Sequence, residues 1–506
     1  MAGISRRVLL GVPLAAGLPA DAARAWAGGD DGVTIGWPSD VPSWDPNRRF
    51  VPDAQPIFKM VYDQPLDQDP RLNLVPSLIA RWQLAPDARS LELELRDDVV
   101  FHDGTPMRSA DLRWTFFGRI AAGHRVDTAH AWRMVSDIET PSATRAIMRF
   151  NSPAPTAPAW LAFLGSFVVP RDYMRKVGLA AFGARPVGSG PYRLAEYQPR
   201  ARIVLERNDS YWGPKPALRR VTVEIMRDTA TRAAAVQSGQ VDLTISVPVR
   251  EVERLARMPA LAAELNPIAR VILLQVRDDG GFADRDIRLA AHHAIDKKAL
   301  SQAFYGAAAV PLSLPAPPDP QAHPDDFTFA SDPNLAIQLL ARSGHSAANP
   351  ARIRMATTKG QFPADYDIAR AIVAMWRQVG IAAELEVIDY ARYFELNRAN
   401  RLPEATLYAF DNATGDPEAY GGYLLNPNLP FSPWKDVALG RKATGLFDMA
   451  DAAERLAGWQ ALNREAVEIG ACIPLLQSVQ TLVRRKALAY RPYGNGWVLP
   501  QTMEWV

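Results

Sequence analysis

The sequence predicts an α/β fold, on three observations. Between residues 203 and 245, alternating Val221, Val223 and Ile225 are followed by a helical stretch closed by Gly239 and then by Val241, Leu243 and Ile245, which is β-α-β spacing. A second helical stretch, 366–379, stops at Gly380 directly before the apolar run 381–387. Across 506 residues the chain is 48% hydrophobic and 22% charged, enough to bury several cores. At roughly 100–200 residues per domain, that length implies three domains, or two large lobes with an insertion.

In chain order, residues 1–27 read as an export signal. Arg6 and Arg7 precede the apolar run 8–18, and Ala25-Trp26-Ala27 offers a small-x-small cleavage site, so processing is expected near Ala27. The paired arginines suggest the twin-arginine route. Residues 33–37 then form a short buried strand, and Leu91, Leu93 and Leu95 alternate with Glu92 and Glu94 as in a half-exposed strand. After a turn at His102-Asp103-Gly104, Leu112, Phe116 and Ile120 fall on one helical face. Strand 203–205 and the β-α-β segment follow, then a helix over 285–305. The run 311–324 holds Pro315, Pro317, Pro318 and Pro320, which forbids helix and predicts an ordered surface loop or linker. Helices 335–342 and 366–379, strand 381–387 and a long amphipathic helix 448–469 complete the pattern.

Composition excludes several functions. Without residues 1–27 the chain keeps 54 basic and 54 acidic residues, so no basic excess exists to neutralise a nucleic acid. No run of about 18 apolar residues predicts a membrane-spanning helix. The single cysteine, Cys472, lies between Ala471 and Ile473 and reads as a small buried hydrophobe, so an exported chain would fold without a disulfide. The seven histidines show no HExxH spacing, and no second cysteine is present to share a metal; no cofactor and no metal are expected. Gly188-Ser189-Gly190-Pro191-Tyr192 lacks the third glycine of a dinucleotide fingerprint, the Gly-Lys-Ser/Thr of a P-loop and the order of a nucleophile elbow. No catalytic residue is assigned, which favours a binding protein over the alternative of a secreted hydrolase.

Three blocks carry a family resemblance. The first joins residues 74–82 (LVPSLIARW), 91–96 (LELELR) and 100–106 (VFHDGTP) with Ala110-Asp111-Leu112. The second joins 188–192 (GSGPY), 205–208 (LERN), Tyr211-Trp212-Gly213 and 236–242 (VQSGQVD). The third is 286–296 (DIRLAAHHAID), ahead of Tyr305-Gly306. In this order the blocks resemble the family 5 solute-binding proteins of ABC transporters, the peptide- and nickel-type receptors, from about residue 33 to the C-terminus. The resemblance implies a two-lobed periplasmic-binding-protein fold of class II with an extra domain inserted in the first lobe. Carried onto this chain, residues 28–48, 166–268 and 481–506 form lobe I, 49–165 the inserted domain and 269–480 lobe II. It further implies a monomeric periplasmic receptor that closes on a small solute, in first place a short peptide, and delivers it to an inner-membrane ABC permease. A metal–chelator complex, an opine or a short oligosaccharide is the alternative ligand.

The resemblance also points to ligand-binding residues. In the peptide-binding branch an aspartate in an aromatic-x-x-Asp stretch, shortly before Asp-Pro, pairs with the ligand's amino group. Here that stretch runs from Tyr408 through Asp411 to Asp416-Pro417, which makes Asp411 the first candidate and Asp416 the second. A desolvated ammonium needs a fixed counter-charge, so an acid in a closed cleft suits the task. Counting back from Trp376-Arg377-Gln378-Val379-Gly380 places Lys359 where dipeptide-type members hold the ligand carboxylate with a basic residue. Tyr408 and Trp44 sit where the resemblance places cleft walls.

Overall fold

The computed structural model describes residues 31–49, 51–126, 129, 132–163, 165–318, 324, 326–412, 414–429 and 432–506. The export signal and its cleavage site lie outside the described residues.

Strand β1 (Gly32–Trp37) opens the fold. The buried helix Gln55–Val61 follows, and then β2 (Leu66–Gln68) and β3 (Leu74–Pro76) pair with each other. Strands β4 (Ile79–Leu84), β5 (Ser90–Leu95), β6 (Val135–Ser142) and β7 (Arg145–Phe150) form a separate antiparallel sheet in the order β4-β5-β7-β6. Its alternation is the one the sequence displays: Leu91, Leu93 and Leu95 enter a core of their own, while outward-facing Glu92 and Glu94 pair with Arg145 and Arg81. The helical stretch predicted around Leu112, Phe116 and Ile120 is present, with a π-helical turn (Trp114–Gly118) in its middle.

Strands β8 (Tyr192–Gln198), β9 (Arg202–Arg207), β10 (Arg220–Ile225), β11 (Leu243–Ile245), β12 (Leu261–Val276), β13 (Ala351–Thr357), β14 (Ile381–Val387), β15 (Ala405–Asp411) and β16 (Cys472–Arg485) join β1 in a ten-stranded sheet. Its order is β14-β13-β15-β12-β16-β11-β1-β10-β9-β8. A final pair, β17 (Leu488–Ala489) and β18 (Glu504–Trp505), stands apart. The ten strands serve two lobes. β1, β9, β10 and β11 pack a core with Trp37, Phe58 and Tyr62, whereas β13, β14 and β15 pack another with Ile287, Leu340, Ile372 and Trp376. Only the long β12 and β16 run through both. Their antiparallel ladder pairs residues 261–267 with 485–479 and residues 271–275 with 477–472, and its register shifts between Pro267 and Val271. Proline has no amide hydrogen to continue a ladder, so the break falls where one lobe gives way to the other.

Three predicted elements differ. The helix expected over 285–305 is two, Arg285–His293 and Lys297–Tyr305, because the Asp296 carboxylate accepts the Ala299 amide at 2.9 Å and starts the second helix as its cap. The proline-rich run is not a surface loop in its first part. Leu312, Leu314 and Ala316 are buried against Trp434 and Trp459, and buried Lys297 donates to the Leu312 carbonyl at 2.7 Å. The long helix starts at Ala452 and not at 448, since Asp451 accepts the Ala453 and Glu454 amides.

Candidate functional site

The register of the crossing strands locates a crevice. β1, β10 and β11 are mutually parallel, and β11 ends with Ile245 opposite Leu482, next to the break. β13 and β15 are parallel in the other lobe, and β15 ends with Asp411 opposite Arg270, at the same break. The carboxyl ends of both parallel sets thus meet where the lobes join, which is where ligands sit in open α/β sheets. The segments that follow β1 (38–49), β10 (226–228), β11 (246–248), β13 (358–361) and β15 (412 and 414–418) lead away from these carboxyl ends.

Buried Arg232 holds the first-lobe loops from behind. It projects from the helix Thr229–Ser238, whose cap Asp228 accepts the Thr231 amide at 2.8 Å. Its guanidinium donates to the carbonyls of Met226 (2.6 Å), Arg227 (3.0 Å), Ile245 (3.0 Å) and Ser246 (2.6 Å), fastening the loops after β10 and β11 together. From the other lobe, Asp411 meets Arg270 in a forked ion pair, with Nε–Oδ1 at 2.7 Å and Nη2–Oδ2 at 3.3 Å. Both side chains keep about a fifth of their surface accessible, 19% and 21%. Within electrostatic reach of both is Asp53, half-buried in the short helical turn Pro52–Ala54, whose main-chain oxygen accepts the Trp37 indole at 2.8 Å. Burial pushes the Asp53 carboxyl above its ordinary range, with Arg270 opposing that shift and Asp411 adding to it.

The other predicted residues lie in different surroundings. Asp416 is engaged by buried Arg455, which also reaches Glu418 at 2.7 Å. Glu418 accepts the Thr156 hydroxyl of the four-stranded domain at 3.4 Å, and burial raises its carboxyl to about 7. Lys359 is exposed over the Tyr366 ring, 5.5 Å from its centroid. The cause is Asp365, which accepts the Thr358 hydroxyl and the Gly360 and Gln361 amides, all at 2.9 Å, and so turns the loop around itself. Tyr408 is three residues from Asp411 on β15, hence on the opposite sheet face, where it stacks on Tyr393 at 4.3 Å. Trp44 is no cleft wall here. Its ring is 1% exposed, packs edge-on to Tyr197 inside the first-lobe core, and cannot border an open crevice.

Asp53, Arg270 and Arg455 were not singled out from sequence. Arg455 had a signal: it shares the apolar stripe of Trp459, Leu462 and Ala466, and a charge on a buried face must find partners. Arg270 had a weaker one, standing beside the apolar run 271–274. Asp53 had none, because the charged groups that act on it, Arg232, Arg270 and Asp411, come from segments far away in sequence.

The recurrent sequence blocks are structural joints. His102 donates its amide to Gly188 O (2.7 Å), accepts the Gly188 amide at Nδ1 (3.3 Å) and therefore donates from Nε2 to Gly190 O (3.0 Å). Burial lowers its pKa to about 4, which keeps the ring neutral. Gly188 and Gly190 let this turn touch the chain at Val61: a Cβ on Gly188 would lie 2.0 Å from Val61 O. Nearby, buried Asp63 accepts Ser189 (2.9 Å), Tyr211 (3.1 Å) and Trp212 (2.9 Å), and burial raises its carboxyl to about 6. Cys472 is fully buried, which pushes its thiol to about 12 and removes it as a nucleophile. Among the described residues no helix is long and apolar enough to cross a membrane, and no group of three or more His, Cys, Asp or Glu is placed to hold a metal.

Comparison with known proteins gives this architecture a context. The nickel-binding periplasmic protein of Escherichia coli K12 is 27% identical over 398 residues, covering 72% of this chain and 74% of its own. NikA from Brucella suis, solved in complex with Fe(III)-EDTA, superposes with a TM-score of 0.84 at 21% identity, covering 94% of this chain and 100% of the other. DppA from Helicobacter pylori in complex with peptide STSA gives 0.81 at 19% identity, over 94% and 98%. Both show the two-lobed class II periplasmic-binding-protein fold. The profile described as bacterial extracellular solute-binding proteins, family 5 middle, matches residues 73–428, most of the chain: this protein belongs to family 5 of the bacterial extracellular solute-binding proteins, the ABC-transporter receptors.

Proposed function

We propose that the protein is an exported, monomeric receptor, cleaved near Ala27, that captures a short peptide between its lobes and hands it to an ABC permease without turning it over. In this reading residues 28–48, 166–268 and 481–506 make lobe I, 49–165 the inserted domain, whose helix Gln55–Val61 packs into the first-lobe core, and 269–480 lobe II, and closure pivots on the irregular stretch 267–271 of β12 and its partner in β16. The observation that carries this reading is the position of Asp411: accessible, at the carboxyl end of β15, in the crevice between lobes. Arg270 occupies one face of each carboxylate oxygen, and a carboxylate offers about four acceptor sites, so room remains for the ammonium of a peptide.

The reading is tested by a thermal-shift screen of the processed protein with di- and tripeptides, each with a free or an acetylated amino group. At a hundredfold excess over Kd, a ligand adds about 2.7 kcal/mol to the folded state. Free-amino peptides should raise the transition, acetylated ones should not, and Asp411→Asn should abolish the shift while the ligand-free protein stays folded. Silence from every peptide overturns it. The nickel-binding relative supports a second reading, an anionic metal–chelate held by Arg270; a shift with nickel and small chelators, lost in Arg270→Met, would select it.

A further inference from the structure

We propose that Thr156 of the inserted domain and Glu418 of the second lobe form a latch that holds these two domains together, giving the inserted domain a share in retaining the solute. The latch rests on closure of the lobes and is independent of which solute is bound.

The contacts of the two residues carry it. Thr156 stands at the N-cap of the helix Ala157–Leu161, the place where a hydroxyl ordinarily accepts a helix amide, yet its side chain caps nothing there. It donates instead to Glu418 Oε1 at 3.4 Å, and both residues are buried at this contact. The other oxygen, Oε2, accepts Arg455 Nη1 at 2.7 Å, so the carboxylate has one oxygen fixed within its own lobe and one turned to the inserted domain. Its anchor is firm. Arg455 also engages Asp416, whose Oδ1 accepts the Glu418 amide at 2.9 Å, and Asn463, on the same helix Ala452–Glu468, donates to the Pro417 carbonyl at 3.0 Å. The segment held in this way starts beside Asp411, where the Asn412 side chain donates to the Asp416 carbonyl at 3.0 Å. One short segment thus has the crevice at its beginning and the latch at its end. The four-stranded sheet of the inserted domain shares no ladder with the ten-stranded sheet, so a side-chain contact such as this one has to tie that domain to the second lobe. Because the contact lies outside β12 and β16, it acts on the balance between open and closed arrangements and leaves the pivot itself unchanged. Loss of a hydrogen bond to a charged acceptor moves such a balance about tenfold.

The test measures the distance between the two domains by double electron–electron resonance on the ligand-free processed protein, with spin labels on Asp97→Cys in the inserted domain and Arg441→Cys in the second lobe, both exposed positions. Cys472 is buried and its thiol is pushed up to about 12, so it takes no label. The expected result is a dominant short distance in wild type and in Thr156→Ser, which keeps the hydroxyl. Thr156→Val removes the hydroxyl alone, and Thr156→Asp sets a second carboxylate against Glu418; each should move the ratio of short to long distances at least about tenfold toward the long one. Adding Glu418→Gln to Thr156→Asp should bring the short distance back, because the amide nitrogen donates to the new carboxylate while the amide oxygen still accepts Arg455. A wild type without the short distance, a distribution unaltered in Thr156→Val and Thr156→Asp, or no return on adding Glu418→Gln refutes the latch. Should Thr156→Asp fail to fold, Thr156→Val against Thr156→Ser decides alone. Silence of every peptide in the thermal-shift screen overturns the peptide reading and leaves this result standing.

Discussion

Replacing Glu418 by Gln should flatten part of the pH dependence of stability. Glu418 is 5% exposed and shares Arg455 with Asp416, so two carboxylates compete for one buried guanidinium. Its folded pKa is about 7 against an ordinary 4.5, chiefly through burial. A carboxyl raised on folding stabilises the protein fully below about 4.5, and that contribution is lost as pH climbs to about 7. Linkage in this direction gives a loss on the order of 2–3 kcal/mol between pH 5 and pH 8. With an unfolding entropy of roughly 2 cal/mol/K per residue, this corresponds to a shift of about 2–3 °C for a chain of this size. Scanning calorimetry of wild type and Glu418→Gln at pH 5, 6, 7 and 8 reads it directly. The difference between the two proteins should move in favour of the variant as pH rises. Parallel curves would refute the argument, because they would mean that Glu418 is already ionised and satisfied by Arg455 in the folded state.

Two further substitutions probe the joints of the first lobe. Gly188→Ala must displace the Val61 carbonyl, which a Cβ would approach to 2.0 Å, and overpacking of this kind costs about 1–3 kcal/mol; an unchanged urea midpoint would contradict it. Arg119→Met should be more severe: Arg119 and Asp45 pair at 2.5 Å with 1% and 2% exposure, and an orphaned buried carboxylate costs about 3–5 kcal/mol. Adding Asp45→Asn to Arg119→Met should recover part of that loss in the same thermal scan, and no recovery would show that packing, not charge, sets the cost.

Local chemistry explains which parts of the fold were legible. Gly239 and Gly380 end their helices in the left-handed region, and the Leu/Glu alternation of 90–95 reports one buried face, so both signals were complete within a few residues. The break at Asp296 was written in the sequence as well, since aspartate followed by Lys297-Lys298-Ala299 is a cap, but the apolar period on either side concealed it. The crevice was only half legible. Asp411 stood out through its resemblance to a known stretch, whereas its partner Arg270 is 141 positions away and meets it through strand register. Trp44 shows the converse: its position suggested a wall, and only the packing of Tyr197 and the helix Gln55–Val61 around the first-lobe core reveals that the ring is inside.

The traffic of β12 and β16 through both lobes also bears on when the chain folds. β11 has one neighbour, β1, early in the sequence, and its other neighbour, β16, becomes available only after Leu482 has been made. The Trp505 indole donates to the Gly32 carbonyl at 2.9 Å, so the first strand waits for nearly the last residue. A ribosome delivering this chain therefore cannot release a finished first lobe ahead of the second, as it can for domains strung one after another. The inserted domain, with its own core and a sheet closed within residues 79–150, completes its pairing early. The sheet of neither lobe is complete until β16 is made, and a chain cut short before it would keep only β12 of the two strands that run through both lobes.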